Sequence, residues 1–165
     1  MINAGFTELL LGLLAILLVV AAVIDVRTFT ISNRLNAVVA LLAPLYWWSS
    51  GLPLWPDAAI QVGVAAGVFV LLAITFYMGM MGGGDVKLAA AIALWFPPMA
   101  TVRFLVFMSL AGGLLTIVVL VIHKIRGKAP IAEGEKAARP EVPYGVAIAA
   151  GALWILAQRF LNQFA

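Results

Sequence analysis

Apolar residues follow one another along this chain in long runs, and polar residues are confined to the short stretches between them. A helix that crosses the hydrocarbon core of a bilayer needs about 20 apolar residues, and several of the runs have that length. Strands of a membrane barrel are shorter and alternate apolar with polar residues. The pattern therefore predicts an all-α polytopic membrane protein, a bundle of about six transmembrane helices. The predicted helices lie at about residues 6–24, 35–48, 58–78, 86–96, 102–122 and 142–164.

The fourth run differs from the others because it is short, rich in alanine and closed by Pro97 and Pro98. Small residues allow helices to pack closely, so we expect this helix in the interior of the bundle. Three glycines, Gly82 to Gly84, come directly before it, and Asp85 follows them. Irregular backbone cannot face lipid, where nothing satisfies its N–H and C=O groups. This stretch is therefore expected inside the protein.

Composition agrees with a membrane protein and narrows its chemistry. The 165 residues are 65% hydrophobic and 10% charged, with a mean hydropathy of +1.13, whereas soluble domains have about 25% charged residues. We expect a single transmembrane domain, residues 1–165, with a polar loop at about 124–141. The absence of cysteine excludes disulfides, thiol nucleophiles and cysteine-bound zinc. The net charge of +3 does not suggest a nucleic-acid partner, because the basic residues gather in loops.

The distribution of basic residues predicts the orientation in the membrane. The loops after the first, third and fifth runs contain Arg27, Arg34, Lys87, Lys124, Arg126, Lys128, Lys136 and Arg139. The second loop has no basic residue and the fourth has only Arg103. Basic loops stay in the cytoplasm, so we expect both termini on the outer side.

This topology predicts that two aspartates share one depth. Asp25 ends the first run and Asp85 opens the fourth, both at the cytoplasmic boundary. The other acids fall elsewhere, at Glu8, Asp57, Glu133, Glu135 and Glu141. Two carboxylates in a low-dielectric pocket do not both ionise easily, so the pKa of one is raised. One group can then accept a proton from water while the other donates one, which is the chemistry of an aspartic peptidase and requires no metal or cofactor.

The residues around Asp85 fit such a site. Gly82, Gly83 and Gly84 allow a substrate backbone to come close, and free N–H groups at a helix start favour an anionic Asp85. Lys87 either adds positive charge near the site or extends toward the lipid headgroups.

The sequence resembles the type IV prepilin peptidases, membrane aspartic peptidases of the Gly-x-Gly-Asp class. The resemblance is carried by Gly82–Asp85 with Lys87, by Asp25 with the basic segment around Ile31-Ser32-Asn33, and by Pro143-Tyr144-Gly145. It implies that Asp25 and Asp85 are catalytic and that Asn33, Lys87, Pro143, Tyr144 and Gly145 support the site. It also implies cleavage of the short basic leader of a prepilin, whose apolar helix follows, at the cytoplasmic face of a bacterial or archaeal plasma membrane.

Two departures from the family qualify what it implies. Larger members carry an N-terminal cytoplasmic region with paired cysteines and also methylate the new N-terminus. This chain begins with its first helix and has no cysteine, so it looks like the short form, similar to peptidases of tight-adherence (Flp) pilus systems, and N-methyltransferase activity is not expected. Ser32 stands where many members have proline.

Each candidate residue also has a purely structural interpretation. Asp25 alone could pair with Arg27 or Arg34, and Asp85 alone could cap a helix. Asn33 and Tyr144 also fit a turn residue and an interfacial anchor. At the level of function, the alternative is a small proton-coupled transporter or channel subunit that uses the same acids. A single glycine break and no internal repeat count against it. A catalytically silent scaffold is the third hypothesis. The sequence leaves the pilin and the oligomeric state open.

Overall fold

A computed structural model describes residues 4–125 and 142–163, and these residues form six α-helices. The helices are α1 Ala4–Thr28, α2 Asn33–Ser50, α3 Ala59–Tyr77, α4 Gly83–Ala93, α5 Pro98–Ile125 and α6 Tyr144–Gln163. One wide turn, Leu54–Ala58, leads into α3. The described residues contain no strand, which confirms the predicted all-α membrane bundle.

Four segments are long and apolar enough to cross a membrane: α1, the turn with α3 (Leu54–Tyr77), α5 and most of α6 (Tyr144–Leu161). Their outer surfaces are covered with large apolar side chains, among them Leu9, Val70 and Leu114. Such a surface is suited to lipid rather than to water. Helix α4 is not one of these segments, because its 11 residues extend only about 16 Å.

Helix α4 lies in the interior of the bundle, as predicted, and packs against α2, α3 and α6. Leu88 and Ile92 are fully buried. Two indoles join its C-terminal end to α2: Trp47 donates a hydrogen bond to the carbonyl of Leu94 (2.9 Å), and Trp95 donates one to the carbonyl of Val39 (3.0 Å). The bond to Leu94 satisfies a carbonyl that the end of α4 leaves without a partner within the helix. Both bonds fix the far end of the helix that carries Asp85.

Helix boundaries differ from the predicted ones at the two aspartates. Helix α1 continues to Thr28, so Asp25 lies inside its last turn rather than after its end. Helix α4 begins at Gly83, so two of the three glycines are helical. Helix α5 includes Lys124, the first residue of the predicted polar loop, and nearly all of that loop falls outside the described residues.

Candidate active site

Asp25 is buried where α1 meets the start of α6. Its side chain is 2% exposed, and its Oδ2 accepts a hydrogen bond from the N–H of Gly145 at 2.6 Å. Gly145 is the second residue of α6, where backbone N–H groups have no partner within the helix. A Cβ at Gly145 would lie 2.8 Å from the same carboxylate oxygen. The close contact between Asp25 and α6 therefore requires glycine at position 145.

Asp85 has a closely similar arrangement at the start of α4. It is the third residue of that helix, and its Oδ2 accepts a hydrogen bond from the N–H of Gly82 at 3.2 Å. A Cβ at Gly82 would lie 2.8 Å from this oxygen. The other oxygen, Oδ1, is buried and has no hydrogen-bond partner among the described residues. Each aspartate thus binds the N-terminal backbone of a helix, α6 for Asp25 and α4 for Asp85, where the helix dipole favours negative charge.

The pKa of Asp85 is raised to about 7, mainly by burial and also by the charge of the nearby Asp25, while the N–H of Gly82 acts in the opposite direction. Two buried carboxyls that interact in this way titrate as a pair. When such a pair shares one proton, one carboxyl can donate a hydrogen bond while the other accepts.

Ile31 connects the two aspartate segments. The carbonyl oxygen of Ile31 lies 2.6 Å from the position that a Cβ on Gly84 would take. At the other aspartate, Cδ1 of Ile31 lies 2.8 Å from the position that a Cβ on Gly145 would take. Asn36 adds a second link, because its side-chain amide donates a hydrogen bond to the carbonyl of Gly84 at 3.0 Å. In the structure, the backbone that comes close to Gly84 is therefore that of Ile31.

The site prediction did not include Ile31 or Asn36 as supporting residues. Ile31 is the only large apolar residue in the polar segment from Thr30 to Arg34, and in the structure it is buried. Asn36 is a polar residue within an apolar run and is also buried. A polar side chain in such a position needs a partner, and this was the signal available in the sequence.

A cleft of about 580 Å³ lies beside Asp85. Its lining residues are Phe29, Gly79, Met80, Met81, Gly82, Asp85, Thr116, Leu120, Val142 and Tyr144. Of the residues singled out in the sequence, Gly82, Asp85 and Tyr144 line this cleft. Phe29 has a φ of 50°, which is unusual for a residue other than glycine. Of the two carboxyl residues, Asp85 lines this cleft.

The other predicted residues lie around the site in different ways. Gly83 packs against the ring of Phe76, with 3.3 Å between that ring and the position of a Cβ. The carbonyl of Pro143 accepts the N–H of Val146 in the first turn of α6 (3.2 Å). Lys87 donates a hydrogen bond to Oδ1 of Asn33 at 2.8 Å. This pair lines a separate groove between α2, α3 and α4, so it is not in the cleft beside Asp85.

Comparison with known families identifies the chain. A model described as the type IV leader peptidase family matches residues 12–117, a range that contains both aspartates. The chain belongs to the type IV leader peptidase family. The chain is also 30% identical over 145 residues to the "Prepilin leader peptidase/N-methyltransferase" of Bacillus subtilis (strain 168), which covers 83% of this chain and 50% of the relative. The chain thus spans about half the length of that curated relative. No solved structure matches it.

Membership of this family supports a membrane-embedded peptidase and is consistent with the apolar helices. The described residues contain no group of three or more histidine, cysteine, aspartate or glutamate side chains able to hold a metal ion.

Proposed function

We propose that this protein is an aspartic endopeptidase that cleaves the leader from prepilins, with Asp25 and Asp85 as its catalytic residues. The observation that supports this most strongly is the pair itself. Two buried carboxyls from distant parts of the chain interact electrostatically, and each is held by the N–H of a glycine at a helix start. A structural ion pair would join an acid to a base, whereas here the charge of one acid acts on the other.

The proposed reaction uses the proton that the pair shares. The ionised carboxyl takes a proton from a water molecule as the water oxygen attacks the scissile carbonyl carbon. The protonated carboxyl donates a hydrogen bond to the carbonyl oxygen as negative charge develops there. Breakdown of the tetrahedral intermediate transfers a proton to the leaving nitrogen and releases two peptides. In this proposal Oδ1 of Asp85 takes part, because it has no hydrogen-bond partner among the described residues whereas Gly82 already binds Oδ2.

The proposed substrate is a prepilin whose basic leader lies at the cytoplasmic surface and whose apolar helix lies in the bilayer. The cleft beside Asp85 is at the same end of the bundle as the C-terminal end of α5, where Lys124 lies. By the positive-inside rule this end faces the cytoplasm. The site would then bind the leader on the cytoplasmic side of the membrane, where pilins are made. Methylation of the new N-terminus is not part of the proposal.

The test uses purified protein and a prepilin in detergent or liposomes, with cleavage followed by mass spectrometry. We expect Asp25→Asn and Asp85→Asn each to slow cleavage by about 10²–10⁴-fold, because each removes a carboxyl while nearly preserving its shape. Asp57→Asn is the matched control, since Asp57 lies in the turn before α3 and not at the site. Full cleavage by either site variant would disprove the proposal. Proton flux without proteolysis would instead favour a transporter.

A further inference from the structure

A second cavity lies at the end of the bundle opposite the two aspartates. It has a volume of about 230 Å³ and is formed by α1, α5, α6 and the segment after α4. Arg103, Gln158 and Arg159 provide its polar lining, and Leu11, Phe96 and Leu156 are among its apolar residues. Helix α6 runs from one end to the other: Gly145, which binds Asp25, is near its start, and Arg159, which lines the cavity, is near its end. This cavity plays no part in the proposed peptidase reaction.

Arg159 is held in place by an aromatic cluster. Its Nη1 donates a hydrogen bond to the phenol oxygen of Tyr46, and its guanidinium carbon lies 5.6 Å from the centre of the Tyr46 ring. That ring stacks on Trp95, with 5.2 Å between ring centres. Arg159 makes no other hydrogen bond to a described residue. A guanidinium has five N–H donors, so most of them are available to a ligand in the cavity.

Arg103 adds a second positive charge to the same cavity from a different helix. It lies in the second turn of α5, is exposed, and makes no hydrogen bond to a described residue. Among the described residues no carboxylate lines the cavity, and Glu8, one turn before Leu11 on α1, is not part of the lining. The two arginines therefore produce a local excess of positive charge beside apolar walls.

These two arginines are unusual in their position along the membrane. The chain has 10 lysines and arginines, and the positive-inside rule places most of them at the other end of the bundle. Arg103 and Arg159 lie at the end where basic residues are disfavoured, and both line this cavity. Arginine is well suited to phosphate because its planar donors bind two oxygens at once.

We propose that this cavity binds one anionic phospholipid of the outer leaflet. Its phosphate lies between Arg103 and Arg159, and an acyl chain packs on Leu11, Phe96 and Leu156. A free phosphate offers the same charge, but the apolar walls favour a ligand with a hydrocarbon part. The bound lipid would bridge α5 and α6 and contact the segment that follows α4. It would thereby stabilise the end of the helix that carries Asp85.

The experiment uses the full chain, purified in detergent and studied by native mass spectrometry. The three probes are phosphatidylglycerol, phosphatidylcholine and inorganic phosphate. We expect one phosphatidylglycerol per chain to be retained, with weaker retention of phosphatidylcholine. Arg103→Gln and Arg159→Gln should each weaken phosphatidylglycerol binding by about tenfold, the effect of losing one charge-assisted hydrogen bond. Lys124→Gln is the charge-matched control at the other end of α5 and should bind as the parent does.

Three results would overturn the proposal. They are equal retention of the two phospholipids, unchanged phosphatidylglycerol binding in both arginine variants, and saturation by inorganic phosphate with no phospholipid retained. Arg159→Gln also removes a bond to Tyr46 and could disturb the fold. Arg103→Gln decides the matter in that case, because Arg103 makes no hydrogen bond to the described protein. The outcome does not depend on the proposed peptidase activity.

Discussion

Replacing Gly145 with alanine should displace the Asp25 carboxyl without removing it. The variant therefore tests whether the position of this carboxyl matters for activity. The added methyl group would lie 2.8 Å from Oδ2 of Asp25, 2.9 Å from its Cβ and 2.8 Å from Cδ1 of Ile31. Carbon atoms in good contact are about 3.5–4.0 Å apart. The Asp25 side chain, or the start of α6, must therefore move by about 1 Å, and the hydrogen bond from the N–H of Gly145 is lengthened or lost.

The expected cost to activity follows from this displacement. A misplacement of about 1 Å near the reacting groups can lower a rate by about a hundredfold. A charge-assisted hydrogen bond is worth about 1.5–3 kcal/mol, which gives a loss of the same order. Alanine is a better helix former than glycine by about 1 kcal/mol, so overall stability should suffer less than activity. We therefore expect Gly145→Ala to be folded and about a hundredfold less active.

The assay is cleavage of a prepilin by purified variants, reported as kcat/KM beside the thermal unfolding midpoint. Gly63→Ala is the matched control, because Gly63 is also a helical glycine and nothing lies within 4 Å of the position of its Cβ. The control should keep parental activity. If folded Gly145→Ala cleaved within a few fold of the parent, the contact between Gly145 and Asp25 would not position the carboxylate.

Three further predictions concern the surroundings of the pair. Activity should fall as the pH rises through about 7, because the raised pKa of Asp85 means that its proton is held below that value and lost above it. Activity should also fall in acid, when both carboxyls are protonated, and a flat profile of kcat/KM against pH would contradict a shared proton. Gly84→Ala should lower the unfolding midpoint and the activity together, because its Cβ would lie 2.6 Å from the carbonyl oxygen of Ile31; a midpoint equal to that of Gly63→Ala would argue against this contact. Lys87→Met should change kcat/KM by no more than a few fold, because the Lys87 amine binds Asn33 outside the cleft. A hundredfold loss would show that Lys87 acts at the site.

The number of helices was predictable from the sequence because lipid imposes long apolar runs. The interior position of α4 was predictable for a related reason, since a short alanine-rich helix after three glycines is unsuited to contact with lipid. The ends of the helices were less predictable. Asp25 lies inside α1 because the helix continues to Thr28, whereas the polar residues Arg27 and Thr28 suggested a loop.

The partner of the Asp25 carboxylate was beyond the reach of sequence patterns. Asp25 and Gly145 are 120 positions apart, and only the packing of α1 against α6 brings them together. The same holds for Ile31, whose contacts with Gly84 and Gly145 depend on the path of a short connecting segment. For Lys87, closeness in the sequence was misleading. Its position two residues after Asp85 suggested a place at the site, but the turn of the helix directs its side chain toward Asn33.

A double-mutant cycle on Asp25 and Asp85 tests the proposed catalytic pair most directly. Prepilin cleavage would be measured for the parent, Asp25→Asn, Asp85→Asn and the double variant, all checked for equal folding. If the two carboxyls act as one unit, each single variant loses about 10²–10⁴-fold in kcat/KM, and the double variant is no slower than the single ones. Losses that multiply in the double variant, or a single variant that keeps parental activity, would contradict a shared catalytic pair.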